Sequence, residues 1–240
     1  MGLQSVWRAL YPPQCIGCGA PVTTEEALCG TCWRDTPFIV GLVCDMCGTP
    51  LPGDDTGRAA ICDDCLTVAR PWARGRSVLR YDGRGRQLLM RLKHGDRPEL
   101  ARPAGRWMAQ AARPLRRPDT LVVPIPLHWT RLLRRRYNQA ALLARQVARE
   151  LDCAMCPDLL TRVRRTPVQG GRGRADRFRN LRDTIAPHPR RGAQALGRPI
   201  LLIDDVMTSG ATLAAASEAC YLAGADEVSV LTLARVAHGW

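Results

Sequence analysis

Ile200-Leu201-Leu202-Ile203-Asp204-Asp205-Val206-Met207-Thr208-Ser209-Gly210-Ala211-Thr212 decides the fold of this 240-residue chain. Pro199 and the apolar run at residues 200–203 predict a strand covered on both faces, as in a parallel sheet. Asp204 and Asp205 follow at its carboxyl end, where open α/β sheets bind ligands. Thr208, Ser209, Gly210, Ala211 and Thr212 then make a small, hydroxyl-bearing loop. The loop feeds a helix over residues 213–223, which Gly224 ends at the C′ position. A helix N-terminus gathers free N–H donors and partial positive charge, so it holds phosphate. Two adjacent carboxylates accept hydrogen bonds from vicinal hydroxyls. Together these parts fit one chemical object, a ribose carrying a 5′-phosphate.

Two other uses of such a stretch are a plain helix cap by Thr208 or Ser209 and a nucleotide-hydrolysing P-loop site. The P-loop requires GxxxxGK[ST], and the one lysine of the chain, Lys93, sits in Arg91-Leu92-Lys93-His94. The stretch closely resembles the phosphoribosyl diphosphate (PRPP) signature of type I phosphoribosyltransferases. That resemblance implies ribose hydroxyls on Asp204 and Asp205. It implies the 5′-phosphate on Thr208, Ser209, Gly210, Ala211 and Thr212, with Mg2+ accompanying PRPP.

Eight of the eleven cysteines lie in the first 65 residues, as four C-x2-C pairs: Cys15/Cys18, Cys29/Cys32, Cys44/Cys47 and Cys62/Cys65. Two such turns present four thiolates to one ion in a closed tetrahedral site. The regular pairing favours zinc over an iron–sulfur cluster. Residues 1–10 are too short and too mixed for a secretory signal. A reducing, cytoplasmic compartment is therefore expected, which argues against disulfides. The ligands group either sequentially, as the first and second pairs against the third and fourth, or as an interleaved cross-brace. Cys153 and Cys156 lack a partner pair and are taken as ordinary residues, as is Cys220.

The net charge of +13 is unevenly placed: −4 over residues 1–70, +21 over residues 71–198 and −4 over residues 199–240. A middle segment so basic attracts polyanions, and arginine matches phosphate bidentately. An acidic ribbon would repel phosphate, so the cysteine module suits a structural or protein-docking role. Trp33 and Phe38 suit packing in its small core. No apolar run is long enough for a membrane-spanning helix.

Strand and helix alternate through the middle of the chain, which predicts a parallel sheet. Strands are expected at residues 78–81, 121–126 and 228–233, and helices at 86–94, 98–112 and 131–151. Three segments there carry more polar residues than packing needs. They are Leu92-Lys93-His94-Gly95-Asp96; the run from Pro124 through Arg136-Tyr137-Asn138-Gln139; and Thr166-Pro167-Val168-Gln169 with Arg177-Phe178-Arg179-Asn180. Together with the cysteines and the PRPP signature, they resemble one family over nearly the whole length, the ComF proteins.

The resemblance implies a double zinc ribbon at residues 1–70 joined to an α/β, type I phosphoribosyltransferase-like domain at residues 71–240. It implies two structural zinc ions and a part in handling incoming single-stranded DNA during natural transformation. A protein partner in the DNA-uptake machinery would dock through the ribbon. Lys93, Arg131, Arg135, Arg136, Asn138, Gln139, Gln169, Arg177 and Asn180 are candidates for contacts with pyrophosphate or DNA. The loop after the first core strand, Pro126-Leu127-His128-Trp129-Thr130-Arg131, lacks the small residues with which the wider class holds pyrophosphate. Binding of PRPP or a nucleotide is therefore supported more firmly than turnover. The alternative is an active phosphoribosyltransferase of nucleotide metabolism with an unknown acceptor. Metal analysis of protein purified without chelator or acid is expected to give about two zinc ions per chain, as two four-thiolate sites require; a value near zero would refute the cysteine assignment.

Overall fold

The computed structural model describes residues 12–94, 97–127, 137–163 and 184–236. In chain order, the elements are α1 (Gly30–Asp35), α2 (Asp63–Thr67), β1 (Arg74–Arg80), α3 (Gly83–His94), α4 (Ala101–Ala112), β2 (Leu121–Pro124) and α5 (Gln139–Leu151). They continue with β3 (Ala154–Met155), β4 (Leu160–Arg162), β5 (Ile185–Pro187), β6 (Pro199–Met207), α6 (Ala211–Leu222) and β7 (Glu227–Arg235).

Five strands form one sheet in the order β1-β7-β6-β2-β3, and every pair is parallel. β4 and β5 make a separate antiparallel pair. The chain steps from β2 outward to β3, then returns to the other side of β2 with β6. The winding reverses between β2 and β6, and such a switch point opens a crevice at the strands' carboxyl ends.

Central strands bury both faces, which explains their continuous apolar character. Leu121, Val123, Ile200, Leu202, Val228 and Val230 face one layer, with α6, β4 and β5. Val122, Leu201, Ile203, Leu231 and Leu233 face the other, with α3, α4 and α5. β6 does not stop before its acids, as the apolar run suggested. It continues to Met207 because β7 runs beside it, pairing Asp204 with Thr232 and Met207 with Arg235. Of the helix expected over residues 131–151, residues 131–136 lie outside the described residues; α5 begins at Gln139, where Asn138 is extended and caps it, accepting from the Ala140 N–H at 3.0 Å.

The N-terminal segment straddles the exposed edge of β1. Ile39 N–H donates to Val78 O at 2.8 Å and Arg80 N–H to Pro37 O at 2.9 Å. Gly75 N–H donates to Asp45 O at 2.7 Å. An unpaired edge strand invites aggregation, and here the ribbon covers it. The first half of the ribbon adds Ile16 and Leu28 to one core layer. The second half adds Cys44, Met46 and Cys47 to the other.

Acidic residues of the ribbon meet arginines of the larger domain. Asp45 binds Arg76 at 2.6 Å and Arg74 at 3.4 Å. Glu26 meets Arg106 at 3.0 Å and Arg102 at 3.3 Å, and Asp35 meets Arg84 at 3.5 Å. The exposed pairs stabilise little individually, whereas Asp45 and Arg76 are largely buried. Trp33 packs on Phe38 with ring centroids 4.6 Å apart, and Phe38 meets Trp107 edge-on at 5.2 Å. The outer face of Trp33 is nevertheless exposed, so it is a lid on this cluster rather than its centre.

The third C-x2-C turn, the knuckle at Cys44 and Cys47, touches β1 through Gly48. This residue has φ of +67°, and a Cβ there would stand 2.4 Å from the Ser77 backbone nitrogen. Gly48→Ala should destabilise the protein by at least about 1–2 kcal/mol from the left-handed conformation alone, read as a lower midpoint in chemical denaturation with zinc retained. An unchanged midpoint would show that the knuckle does not seat on β1.

Candidate functional site: two cysteine clusters and the loop after β6

The eight paired cysteines form two clusters, Cys15/Cys18/Cys29/Cys32 and Cys44/Cys47/Cys62/Cys65, with the ligand atoms of each lying within 4.8 Å of one another. The grouping is sequential, not a cross-brace. Sulfurs about 2.3 Å from a tetrahedral ion stand about 3.8 Å apart. Cys18 Sγ and Cys29 Sγ are 3.7 Å apart, as are Cys47 Sγ and Cys62 Sγ. Backbone amides are aimed at the sulfurs: Cys29 N–H reaches Cys15 Sγ at 3.1 Å and Gly17 N–H at 3.3 Å, while Cys62 N–H reaches Cys44 Sγ at 3.4 Å.

Without a cation the four thiols of a cluster cannot ionise together. Burial opposes ionisation of Cys15, but the backbone N–H groups of Cys29, Cys18 and Gly17 overcome it and bring the thiol down to about 6. Burial and the neighbouring thiols push Cys32 up to about 12. A divalent ion removes that conflict, so both donor sets fit structural zinc.

The second site lies at the carboxyl end of β6. Asp204 and Asp205 are half-buried there, with Asp205 N–H donating to Asp204 Oδ1 at 2.8 Å. Lys93, near the end of α3, reaches Asp205 Oδ2 with its Nζ at 3.0 Å. The one lysine among 35 basic residues therefore meets the carboxylate pair. Burial and the charge of Asp205 raise the Asp204 carboxyl to about 7; Lys93 and Arg162 oppose the rise.

The loop after β6 ends at Gly210, with φ of +83°, which caps α6. Ala211 N–H donates to Ser209 Oγ at 3.4 Å. Thr208 is exposed and Thr212 half-buried, whereas Ser209, Gly210 and Ala211 are buried. The first amides of α6 have no carbonyl in their own helix to bond.

The Tyr-Asn-Gln triplet braces this crevice from below. Tyr137 Oη donates to Leu92 O at 2.8 Å, beside Lys93, and Asn138 Nδ2 donates to Ile125 O at 3.1 Å at the end of β2. Gln139 is buried at the start of α5. Asn138 is thus occupied in tying helix to strand. Arg131, Arg135, Arg136, Gln169, Arg177 and Asn180, with His128, Trp129 and Phe178, lie outside the described residues.

Sequence reasoning missed two buried arginines behind the loop. Arg70 Nη1 donates to Ser209 O at 2.6 Å. Arg235 Nη1 reaches Thr208 O at 2.6 Å, Val236 O at 2.6 Å and Met207 O at 3.3 Å. One signal was available: Arg235 is the sole lysine or arginine after residue 198, at the end of a mostly apolar strand. Arg70 carries no comparable mark.

The double zinc ribbon domain family matches residues 6–66. The DNA utilization protein YhgH of Salmonella typhi is 32% identical over 231 residues, covering 93% of this chain and 97% of that protein. Competence protein F of Haemophilus influenzae is 29% identical over 228 residues, covering 92% and 96%. Among solved structures, the glutamine PRPP amidotransferase of Bacillus subtilis is 18% identical, overlapping 59% of this chain and 30% of that one with a TM-score of 0.39, too slight a likeness to bear on function. Identity of about 30% across nearly the whole of this chain and of these relatives shows that the chain belongs to the ComF family.

Proposed function

We propose that this protein binds PRPP, or another ribose 5′-phosphate, at the carboxyl end of β6, and that it acts on single-stranded DNA during natural transformation. The observation that carries the first part is the placement of Asp204, Asp205 and the 208–212 loop together at the switch point of a parallel sheet. Ribose hydroxyls donate to the two carboxylates. The 5′-phosphate sits on the loop amides and the start of α6. Mg2+ accompanies PRPP, and Lys93 lies close enough to Asp205 to turn toward an anionic ligand. Support for the second part is the net +21 of residues 71–198 and the names of the relatives, one a DNA utilization protein and one a competence protein.

Titration calorimetry with PRPP and Mg2+ should show binding to the wild-type protein and at least a tenfold loss in the Asp204→Asn, Asp205→Asn double variant. The fold should survive, because neither change removes packing volume. Heat-silent mixing with both proteins would count against the ligand. Following pyrophosphate release in the same mixtures, with and without single-stranded DNA, separates binding from transfer.

The position of Asp204 near 7 sets a pH dependence. A protonated carboxyl loses an acceptor for the hydroxyls, so PRPP affinity should rise between about pH 6 and pH 8. The sign for folding of the free protein is opposite. A raised carboxyl favours the fold when protonated, and this contribution is lost as pH climbs from about 4 through about 7. Asp204→Asn should flatten both curves, measured by calorimetry and thermal melting; persistence of the affinity slope in that variant would assign it to another group.

Single-stranded DNA should bind with a steep inverse dependence on salt, through release of counterions. Absence of affinity at low ionic strength would exclude a nucleic-acid partner.

A further inference from the structure

The second cysteine cluster and the phosphate loop are joined by direct contacts. Arg70 follows Cys65 by one short turn of chain and donates to Ser209 O at 2.6 Å. Its guanidinium lies 5.4 Å from the Trp72 ring centroid, and Trp72 Nε1 donates to the carbonyl of Met46, between Cys44 and Cys47. Arg235 Nη1 holds Thr208 O at 2.6 Å, while its Nη2 stands 3.9 Å from Asp64 Oδ2, between Cys62 and Cys65. Gly210 completes the junction. A Cβ there would meet Arg70 Nη1 at 2.8 Å and Trp72 Cη2 at 3.1 Å.

These contacts determine where the loop amides point. In a trans peptide the carbonyl of one residue and the N–H of the next point in opposite directions. The guanidinium groups draw the carbonyls of Met207, Thr208 and Ser209 toward the protein side. The N–H groups of Thr208, Ser209 and Gly210 are therefore directed to the opposite side, and successive amides so arranged make an anion-binding nest. Arg70 Nε and Nη2 and Arg235 Nε are buried with no hydrogen-bond partner among the described residues. Buried cations with spare donors need a nearby anion. Four thiolates around Zn2+ supply one, with a net charge of about −2.

We infer that Arg70 and Arg235 are positioning residues that couple the second cysteine cluster to the phosphate loop, which keeps its amides turned outward only while that cluster is intact. The inference rests on reading residues 208–212 as a phosphate loop, and it adds the zinc ribbon to the machinery that forms the site. The first cluster has no such role: its Gly17 carbonyl is held by Arg91 of α3, on the opposite core layer.

Hydrogen exchange of the full-length protein tests this without any ligand. Cys65→Ser should speed exchange of the Ala214 and Val236 amides, which hold Gly210 O and Met207 O of the loop at 2.9 Å, at least tenfold, while β2 and α5 stay protected. Cys18→Ser should leave the loop at the wild-type rate. Arg70→Met should loosen the loop to a similar extent with both zinc ions still bound. Arg70→Lys, which keeps one donor for Ser209 O, should loosen it less. Combining Arg70→Met with Cys65→Ser should add nothing further, because both changes break one connection.

Wild-type loop exchange in a folded Cys65→Ser protein, or additive effects in the combined variant, overturns the inference. If Cys65→Ser loses protection in β2 and α5, wild-type protein stripped of one zinc ion by limiting chelator takes its place under the same criteria. PRPP affinity measured on the same samples should fall at least tenfold only where the loop loosens. Coupled exchange in a wild-type protein that ignores PRPP would uphold the coupling and reject the ligand reading; PRPP binding with uncoupled exchange would do the reverse.

Discussion

The pairing of β6 between β2 and β7 is the constraint on which the rest of the molecule depends. It buries a strand on both faces and places the end of that strand at the reversal of winding. There two carboxylates emerge side by side beneath the start of a helix. Partly shielded from water by the surrounding layers, the carboxylates repel one another, and Lys93 offsets part of that repulsion. β7 has to run as far as Arg235 to support the end of β6, and this brings a guanidinium beneath the loop.

Much of this was legible in the chain. The apolar run with paired acids, the small loop and Gly224 defined strand, turn and helix because they are contiguous and each follows a local rule. The cysteine pairs announced two metal clusters, although spacing alone left their grouping open; only the folded backbone separates a sequential arrangement from an interleaved one. Less legible were features that depend on distant partners. β6 outlasts its apolar run because β7 accompanies it. The start of α5 at Gln139 is fixed by Asn138, which binds both the Ala140 amide and the Ile125 carbonyl. Arg70 is indistinguishable in sequence from a solvated arginine.

Charge patterning illustrates the same limit. The contrast between an acidic ribbon and a basic domain suggested a module that phosphate avoids beside one that phosphate seeks. Part of that contrast is spent inside the molecule. Glu26, Asp35, Asp45 and Asp64 each face an arginine of the larger domain. The ribbon's acids are to that extent docking groups, and the basic field available to a polyanion is smaller than the raw sum. Separate modules in sequence are thus one electrostatic unit in space.

Covering the β1 edge has a consequence for how the chain is made. The ribbon emerges from the ribosome before the sheet and, with zinc, can close its own knuckles early. Its seat is not ready. Among the described strands, β1 has β7 as its partner in the sheet, and β7 is made after every other strand of that sheet, so the surface that the ribbon occupies is completed late. Until then β1 has an open edge on each side, and closing so long a loop is slow. A metal-stabilised ribbon already lying along one of those edges would shield it from other nascent chains, making the N-terminal module a guard for the unfinished sheet as well as a part of the finished one.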